Sequence, residues 1–260
     1  MTNVDPPGKA PDDPVRSRPT LVASDAHLGS TPERSKRSFH AFLEGVADRT
    51  DDLVLAGDLF DFWFEYRSVV LREHFSTLRR LADLIDAGVR IRLVAGNHDA
   101  WVGSFLEEEI GVEFLAGPTV TDVGGRRTYL AHGDGLAGGD LGYRMLKTVT
   151  RSGPARRLFS WLHPDIATAL VDRISRTGRE AEEGTGSDKK ARAEALSDYA
   201  AELIRSRSDL ELVIFGHSHQ PELSEPAEGR FYLNPGDWIH HFTYGLVQGP
   251  RVELMKWREA

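Results

Sequence analysis

The segment that most constrains the fold is a short aliphatic run, residues 53–56, followed directly by Gly57, Asp58 and, three residues on, Asp61. A run of this length is typical of a strand that is buried on both faces of a parallel sheet. The Gly-Asp pair ends the run where a parallel sheet presents the carboxyl ends of its strands, which is where open α/β sheets bind ligands. The sequence therefore predicts an α/β fold with Asp58 at a strand end beside a ligand site.

Four further apolar runs end in the same way, each in residue types that commonly bind metal ions. They are 21–24 before Asp25 and His27, 91–95 before Asn97 and His98, 129–131 before His132, and 212–215 before His217 and His219. A single strand-end aspartate more often caps a helix or forms a turn, and a solitary histidine is more often packed or solvated. Five strand ends of this kind instead predict one metal site that is assembled from the whole chain.

The candidate ligands can hold metal only through nitrogen and oxygen, because the chain contains no cysteine. They are Asp25, His27, Asp58, Asn97, His132, His217 and His219. This mixture of carboxylate, amide and imidazole groups suits Mn²⁺, Fe²⁺ or Zn²⁺. Seven groups are too many for one tetrahedral ion, whereas two ions that share a carboxylate would use them all. We therefore predict two divalent ions, with Mn²⁺ favoured, an arrangement that suits in-line displacement at phosphorus.

The sequence pattern divides the chain into a tail, an α/β domain and an insertion. Residues 1–18 carry four of the thirteen prolines without apolar periodicity, which predicts a disordered tail. Segments 19–135 and 207–260 alternate strand and amphipathic-helix patterns and predict the α/β domain. Residues 136–206 show helical patterns and no strand pattern, so we predict a helical insertion between two ligand-bearing strand ends.

Local patterns within the α/β domain predict its elements. Apolar spacings of three and four predict helices over 35–48 and 70–87. The segments 112–123 and 127–131 are expected to be β-structure, joined by a turn at Gly124.

Charge and hydropathy exclude several functional classes. A net charge of −8 argues against a general nucleic-acid binder, which needs basic surface. No run approaches the roughly 20 apolar residues of a membrane span, and the N-terminus lacks the apolar stretch of a signal peptide. We therefore expect a cytoplasmic protein without a nucleic-acid partner, and no particular oligomeric state is indicated.

Five sequence blocks together resemble the calcineurin-like metallophosphoesterases. They are Asp25-x-His27, Gly57-Asp58-x-x-Asp61, Gly96-Asn97-His98-Asp99, His132-Gly133 and Gly216-His217-x-His219, in the order of that family. The resemblance spans about residues 20–240. It implies a four-layer α/β/β/α sandwich, two β-sheets flanked by helices, with a helical insertion as a lid.

The resemblance also implies a role for each site residue. One metal ion would be bound by Asp25, His27, Asp58 and His219, and the other by Asp58, Asn97, His132 and His217. His98 would contact the phosphate and donate a proton, and Asp61 would orient it. His240 and His241 could line the site, although we expect a structural role for them.

A narrower resemblance is to the branch of this family that hydrolyses UDP-2,3-diacylglucosamine in lipid A biosynthesis. It rests on residues 57–63, on the segment from His132 to Tyr143, and on the helical insertion. Two positions depart from the best-known members: His98 stands where they have Arg, and the loop 234–238 differs. A phosphate-monoester leaving group, with a second pKa near 6, can depart without a proton, whereas an alkoxide benefits from a general acid. His98 therefore leaves a broader phosphodiesterase or phosphomonoesterase activity open.

The helical insertion is rich in basic and apolar residues. Between Asp140 and Arg179, eight basic residues stand against three acidic ones, a local charge of +5. We interpret it as a lid that admits acyl chains and contacts an anionic membrane; the alternative is simple packing on the core. Its candidate substrate contacts are Asp140, Arg156, Arg157, Trp161, Arg176 and Arg179.

Other classes on the same fold fit less well. A non-catalytic scaffold would be expected to have lost ligands or His98, and this chain retains all of them. A protein phosphatase would have Arg-Gly after Asp61, where this chain has Phe62 and Trp63.

Overall fold

A computed structural model describes residues 18–99, 101–136, 157, 159, 161–169 and 186–258. Helices in this part of the chain are α1 (Glu33–Glu44), α2 (Phe75–Asp86) and α3 (Gly186–Ser206), with a 3₁₀ turn at Arg72–His74 and a π-helical turn at Leu106–Ile110. Its strands are β1 (Thr20–Ala23), β2 (Asp52–Leu55), β3 (Arg90–Val94), β4 (Glu113–Leu115), β5 (Thr119–Val123), β6 (Arg126–Leu130), β7 (Leu212–Ile214), β8 (Glu222–Ala227), β9 (Arg230–Asn234), β10 (Thr243–Gln248) and β11 (Arg251–Lys256).

The strands form two sheets in which the ligand-bearing strands are parallel. The first sheet has the order β11-β10-β1-β2-β3-β4, and its strands β1 to β4 run parallel. The second has the order β5-β6-β7-β9-β8, with β6, β7 and β9 parallel. In each sheet, parallel neighbours end side by side, so the residues that follow them meet at one edge.

A shared apolar core lies between the two sheets. Val22 and Val54 of the first sheet belong to the same buried cluster as Leu130 and Ile214 of the second. Because successive side chains of a strand point to opposite faces, Leu21 packs on the other side of the first sheet from Val22. The strands are therefore buried on both faces, as the aliphatic runs predict.

Helices cover the outer faces of both sheets. Phe39 of α1 and Leu81 of α2 pack in the same buried cluster as Leu21. On the second sheet, α3 buries Leu196 and Ala200, spaced by one helical turn, in the cluster that contains Phe215. The four-layer α/β/β/α fold is thereby confirmed, and α3, which lies within the predicted helical insertion, supplies the fourth layer.

One predicted segment is arranged differently in the structure. The run 112–123 is not one β-segment: β4 belongs to the first sheet and β5 to the second. Gly117 and Pro118 separate them, and the chain changes sheet there. Pro226 lies within β8, where the edge position of this strand in its sheet tolerates it.

Other expectations lie outside the described residues. These include the disordered tail, of which only Arg18 is described, and most of the helical insertion. Across the described ranges, no helix combines the length and apolar character that crossing a membrane requires.

Candidate metal centre and active site

The seven predicted ligands lie together where the carboxyl ends of five strands meet. Three overlapping groups have their ligand atoms within 4.8 Å of one another: Asp25, His27 and His219; His27, Asp58 and His98; and Asp58, His132 and His217. The remaining predicted ligand, Asn97, joins them because its Oδ1 lies 3.1 Å from Nε2 of His132.

Asp58 occupies the centre of this cluster. Its Oδ2 lies 3.1 Å from Nε2 of His132 and 3.8 Å from Nε2 of His27, so one oxygen faces both outer groups. Its Oδ1 accepts a hydrogen bond from the main-chain N–H of His98 at 2.9 Å. The carboxylate is therefore oriented by the backbone of one loop while it faces ligands from two others.

The ligand loops carry unusual backbone strain. Five ligands have left-handed φ angles between 45° and 65°: Asp25, His27, Asp58, His217 and His219. Such a conformation costs of order 1–3 kcal/mol for a residue other than glycine and persists only where the surroundings enforce it. At Asp25, His27 and Asp58, hydrogen bonds between two of the loops do so, from Asp25 N to Gly57 O at 3.1 Å and from His27 N to Asp58 O at 3.0 Å.

Close approach explains two of the glycines in the ligand loops. A Cβ atom on Gly96 would overlap the carboxylate of Asp58, and one on Gly216 would overlap the hydroxyl of Ser24. Because neither neighbour can move without disturbing Asp58 or Asp25, the ligand loops can approach one another only with glycine at these positions.

The donor atoms fit a bound cation. Oδ1 of Asp25 is buried and accepts no hydrogen bond from any described residue. Nε2 of His219 lies 3.4 Å from this oxygen and 3.3 Å from Nε2 of His27. Two imidazole nitrogens and a carboxylate oxygen thus converge on one point, which is an arrangement that a divalent ion satisfies.

The pKa values of the buried carboxylates in the cluster also favour the binding of cations. Burial would raise the pKa of Asp58, but the charge of His132 holds it well below its usual range. Burial would likewise lower the pKa of His132, yet Asp58 raises it to about 10. At Asp25 the effect of burial is outweighed by His219, so the pKa of Asp25 is lowered. Both buried carboxylates are therefore ionised, and divalent cations would neutralise them.

His98 and Asp61 lie on the open side of the cluster. Nδ1 of His98 donates to the main-chain oxygen of Asp61 at 2.7 Å, and it lies 3.7 Å from the Asp61 carboxylate. The same carboxylate is 3.7 Å from Nδ1 of His27. Asp61 therefore orients His98 chiefly through its backbone, a detail that sequence reasoning did not anticipate.

Asp99, which follows the ligand loop of β3, ties two ligand loops together. Its carboxylate accepts a hydrogen bond from Gly96 N at 2.7 Å and another from Leu59 N at 2.8 Å. Burial and the neighbouring charge of Asp58 raise the pKa of Asp99 to about 6. This residue fixes the loops that carry Asp58 and Asn97 relative to each other.

A cavity of 320 Å³ opens beside the ligand cluster. His27, His98 and His219 line it on one side, and Lys189 and Arg192 of α3 line it on another. Sequence reasoning missed this basic pair, whose signal is its spacing of three residues on one helix face. His240 and His241 also line the cavity, in addition to the structural role predicted for them.

The predicted substrate contacts of the helical insertion are only partly described. Asp140, Arg156, Arg176 and Arg179 lie outside the described residues. Arg157 and Trp161 are exposed, Trp161 at 82%, and neither belongs to the described lining of the cavity. Between them, Phe159 packs on Phe64 at 4.7 Å between ring centroids and on Trp101 at 5.1 Å. This part of the insertion is therefore anchored next to the loops that follow Asp61 and His98.

Fold and site together define a metal-dependent phosphoesterase, with Asp, His and Asn side chains from five strand ends grouped as candidate metal ligands. More particularly, the chain belongs to the calcineurin-like phosphoesterase family, whose sequence profile matches residues 18–221. The resemblance found from the sequence is thereby confirmed. The protein is a metal-dependent hydrolase of phosphoric esters or anhydrides, and its family binds divalent metal ions.

Relatives that share one name align over nearly the whole chain. UDP-2,3-diacylglucosamine hydrolase of Porphyromonas gingivalis is 31% identical over 247 residues, covering 89% of this chain and 94% of that protein. The enzyme of the same name from Ralstonia nicotianae is 29% identical, covering 87% of each chain. Among solved structures, Vacuolar Protein Sorting 29 from Cryptosporidium parvum matches with a TM-score of 0.46 at 14% identity over 92% of this chain and 96% of that one, too distant a likeness to bear on function.

Proposed function

We propose that this protein hydrolyses the pyrophosphate bond of UDP-2,3-diacylglucosamine, giving UMP and 2,3-diacylglucosamine 1-phosphate, a step of lipid A biosynthesis. The observation that carries the reaction type is the cluster of predicted ligands that opens onto a cavity with a basic wall. The substrate is supported by relatives of that name at 31% and 29% identity, which align with this chain over almost their full length.

Two divalent ions are proposed as cofactors, with Mn²⁺ favoured over Fe²⁺ or Zn²⁺. Asp25, His27, Asp58 and His219 would hold one, and Asp58, Asn97, His132 and His217 the other. When bound, such ions supply Lewis-acid activation of water and of the phosphoryl group. Asp58 is the proposed shared ligand because its Oδ2 faces both groups.

His98 is proposed to bind the reacting phosphate and to carry a proton. Its Nδ1–H donates to the Asp61 main chain, which fixes the ring and leaves Nε2 to act toward the substrate. A side-chain exposure of 17% gives the ring access to the cavity while it stays partly shielded from water. With a pyrophosphate substrate the proton is of small use, because a phosphate monoester leaves as an anion.

Lys189 and Arg192 are proposed to receive negative charge of the substrate outside the metal centre. They line the same cavity as His98 and His219 and lie one helical turn apart. A pyrophosphate diester carries charge on both phosphates, and only one of them can occupy the reacting position. A lysine and an arginine at the cavity wall provide point-charge and bidentate contacts for the other.

Contact with a membrane surface is also part of the proposal, because a diacylated substrate resides in the lipid phase. Trp161 and Ile166 of the helical insertion are 82% and 60% exposed, and exposed aromatic and aliphatic groups next to basic residues favour a membrane interface. The reaction would then take place at the inner face of the cell membrane, with the protein peripheral to it.

A second candidate function is a broader phosphodiesterase or phosphomonoesterase activity. The observation that favours it is His98 itself, which is positioned as a general acid that a pyrophosphate does not need. In that case small aryl phosphate esters would be hydrolysed as well as the lipid nucleotide.

The deciding experiment compares specificity constants of the Mn²⁺-loaded protein for UDP-2,3-diacylglucosamine and for simple aryl phosphate mono- and diesters. The proposal expects a clear preference for the lipid nucleotide, with UMP as a product. It also expects Lys189→Ala and Arg192→Ala to raise KM for the lipid nucleotide more than for an aryl monoester. Comparable specificity constants for all substrates would favour the broader function and reject the lipid assignment.

A further inference from the structure

The end of β9 and the loop that connects it to β10 contact two ligand segments, although they contribute no predicted ligand. Asn234 Nδ2 donates to the main-chain oxygen of Gly216 and to Ser218 Oγ, both at 2.9 Å, and so braces the loop that carries His217 and His219. The main-chain N–H of Trp238 donates to the main-chain oxygen of Asp25 at 3.2 Å. The loop therefore lies directly behind one half of the ligand cluster.

Asp237 is the charged residue of this loop, and its two carboxylate oxygens have different partners. Oδ1 accepts hydrogen bonds from the main-chain N–H groups of Ile239, His240 and His241 at 2.7 to 3.0 Å. Oδ2 lies 3.5 Å from Nδ1 of His219 and 3.2 Å from Nδ1 of His241. The residue is completely buried, so the carboxylate is held in one orientation by the turn that follows it.

The two ring nitrogens of His219 thus face different groups. Nδ1 faces Oδ2 of Asp237, while Nε2 faces Oδ1 of Asp25 and Nε2 of His27. A carboxylate behind a histidine fixes its tautomer with the proton on the near nitrogen, which leaves the far nitrogen free to bind a metal ion.

We infer that Asp237 is the positioning residue of His219, and that it sets the affinity of the metal ion held by Asp25, His27 and His219 while the other ion depends on it little. This inference rests on the proposed ligand set, in particular on His219. The group at Asp58, His132 and His217 makes no contact with Asp237 among the described residues, so its ion serves as an internal reference.

A purely structural role for Asp237, as the cap of the turn at 238–241, is the competing explanation. Replacement of Asp237 by Asn separates the two roles, because the amide oxygen can still accept the three main-chain hydrogen bonds. The amide nitrogen in place of Oδ2 removes the negative charge and presents donors to Nδ1 of His219. Asp237→Asn should therefore preserve the turn but no longer fix the tautomer of His219.

The test titrates Mn²⁺ by calorimetry into metal-free wild type, Asp237→Asn, His219→Ala and, as a control, Asp122→Asn. Asp122 is matched because its side chain also accepts a main-chain N–H in a turn, that of Gly125 at 3.1 Å, away from the ligands. We expect Asp237→Asn to weaken one of two Mn²⁺ sites by about 10- to 100-fold. Its metal-free Tm should stay within about 2 °C of wild type, and Asp122→Asn should bind like wild type.

Imidazole ¹⁵N NMR of the metal-free protein provides the readout that a structural role would not change. The resonance that disappears in His219→Ala should report a proton on Nδ1 in wild type and a changed tautomer in Asp237→Asn. If His219→Ala keeps two full-affinity sites, the ligand set itself is wrong. If His219→Ala loses one site while Asp237→Asn retains both, the ligand set holds and the inference about Asp237 is overturned.

Discussion

The main-chain N–H of His98 donates a hydrogen bond to Oδ1 of Asp58 at 2.9 Å. This bond joins the loop after β3 to the loop after β2 and leaves Oδ2 of Asp58 facing His27 and His132. The proposed proton donor and the proposed shared metal ligand are therefore fixed relative to each other by a backbone contact. Substitutions of Asp58 and of His98 should nevertheless have different effects on metal binding, because the side chain of His98 takes no part in this bond.

The first prediction concerns Asp58. Replacing it with Ala or Asn removes the anionic ligand proposed to be shared, so both metal ions should bind more weakly together. The charge matters more than the shape, since Asn can still accept the hydrogen bond from His98 N. Elemental analysis after desalting should find well under two equivalents of Mn²⁺ in both variants; two full equivalents in Asp58→Ala would rule out a bridging role.

The second prediction concerns His98. The variant His98→Ala should keep both metal ions, because the main-chain N–H that orients Asp58 remains. Turnover should fall by about 10² to 10⁴ for esters with poor leaving groups and by much less for a pyrophosphate. The measurement is kcat across a series of aryl phosphodiesters of rising leaving-group pKa. A loss of the same size at every leaving group would leave His98 with a binding role and no part in proton transfer.

Much of this arrangement follows from short-range sequence patterns. A strand buried on both faces must be aliphatic, as at 53–55, and the polar residues that follow parallel strands must meet at one sheet edge. Such reasoning finds Asp58 and Asn97 without a structure. It fails at 112–123, where the apolar pattern continues across Gly117, because which sheet a strand joins depends on packing between distant elements.

The residues that support the site cannot be found from short-range sequence patterns either, because their roles also depend on contacts between distant segments. Lys189 and Arg192 have the pattern of a solvated helix face, and only the packing of α3 on the second sheet brings them to the cavity. Asp99 and Asp237 resemble ordinary turn residues in sequence. Their roles depend on hydrogen bonds to segments far away in the chain, such as that from Leu59 N to Asp99.

The third prediction links His74 to acid sensitivity. His74 is buried against Phe60 and Trp63, and burial lowers its pKa from 6.5 to about 4. Between these values the unfolded chain binds a proton that the folded protein does not. Stability from this residue is thus complete above pH 6.5 and is lost as pH falls, by about 2 kcal/mol between pH 7 and pH 5.

Urea unfolding of the metal-free protein at the two pH values tests this expectation. His74→Gln can still donate to the main-chain oxygen of Phe62, which lies 3.0 Å from Nε2 of His74, but it does not titrate. Between pH 7 and pH 5, the free energy of unfolding of His74→Gln should fall by about 2 kcal/mol less than that of wild type. His163→Gln, at a well-exposed position, is the control and should behave as wild type. An unchanged pH dependence in His74→Gln would show that His74 does not contribute.

The last prediction concerns the helical insertion and the lipid substrate. Phe159 anchors this segment on Phe64 and Trp101, while Trp161 and the basic Arg157 of the same segment are exposed. If the segment contacts the membrane, its basic residues gain about 1 kcal/mol each near an anionic leaflet. Wild type should then float with anionic vesicles at low salt and detach at high salt.

The double variant Arg157→Ala/Trp161→Ala should float less and should hydrolyse a diacylated substrate more slowly, while a small aryl phosphodiester is hydrolysed at the wild-type rate. Phe75→Ala is a matched control, because Phe75 is an aromatic residue of α2 that is 65% exposed outside the insertion; it should change neither measurement. The combination distinguishes a membrane contact from a defect in the metal centre, which would slow both substrates. Equal losses on both substrates, with no vesicle binding at low salt, would mean that the insertion is structural and that the lipid substrate is wrong.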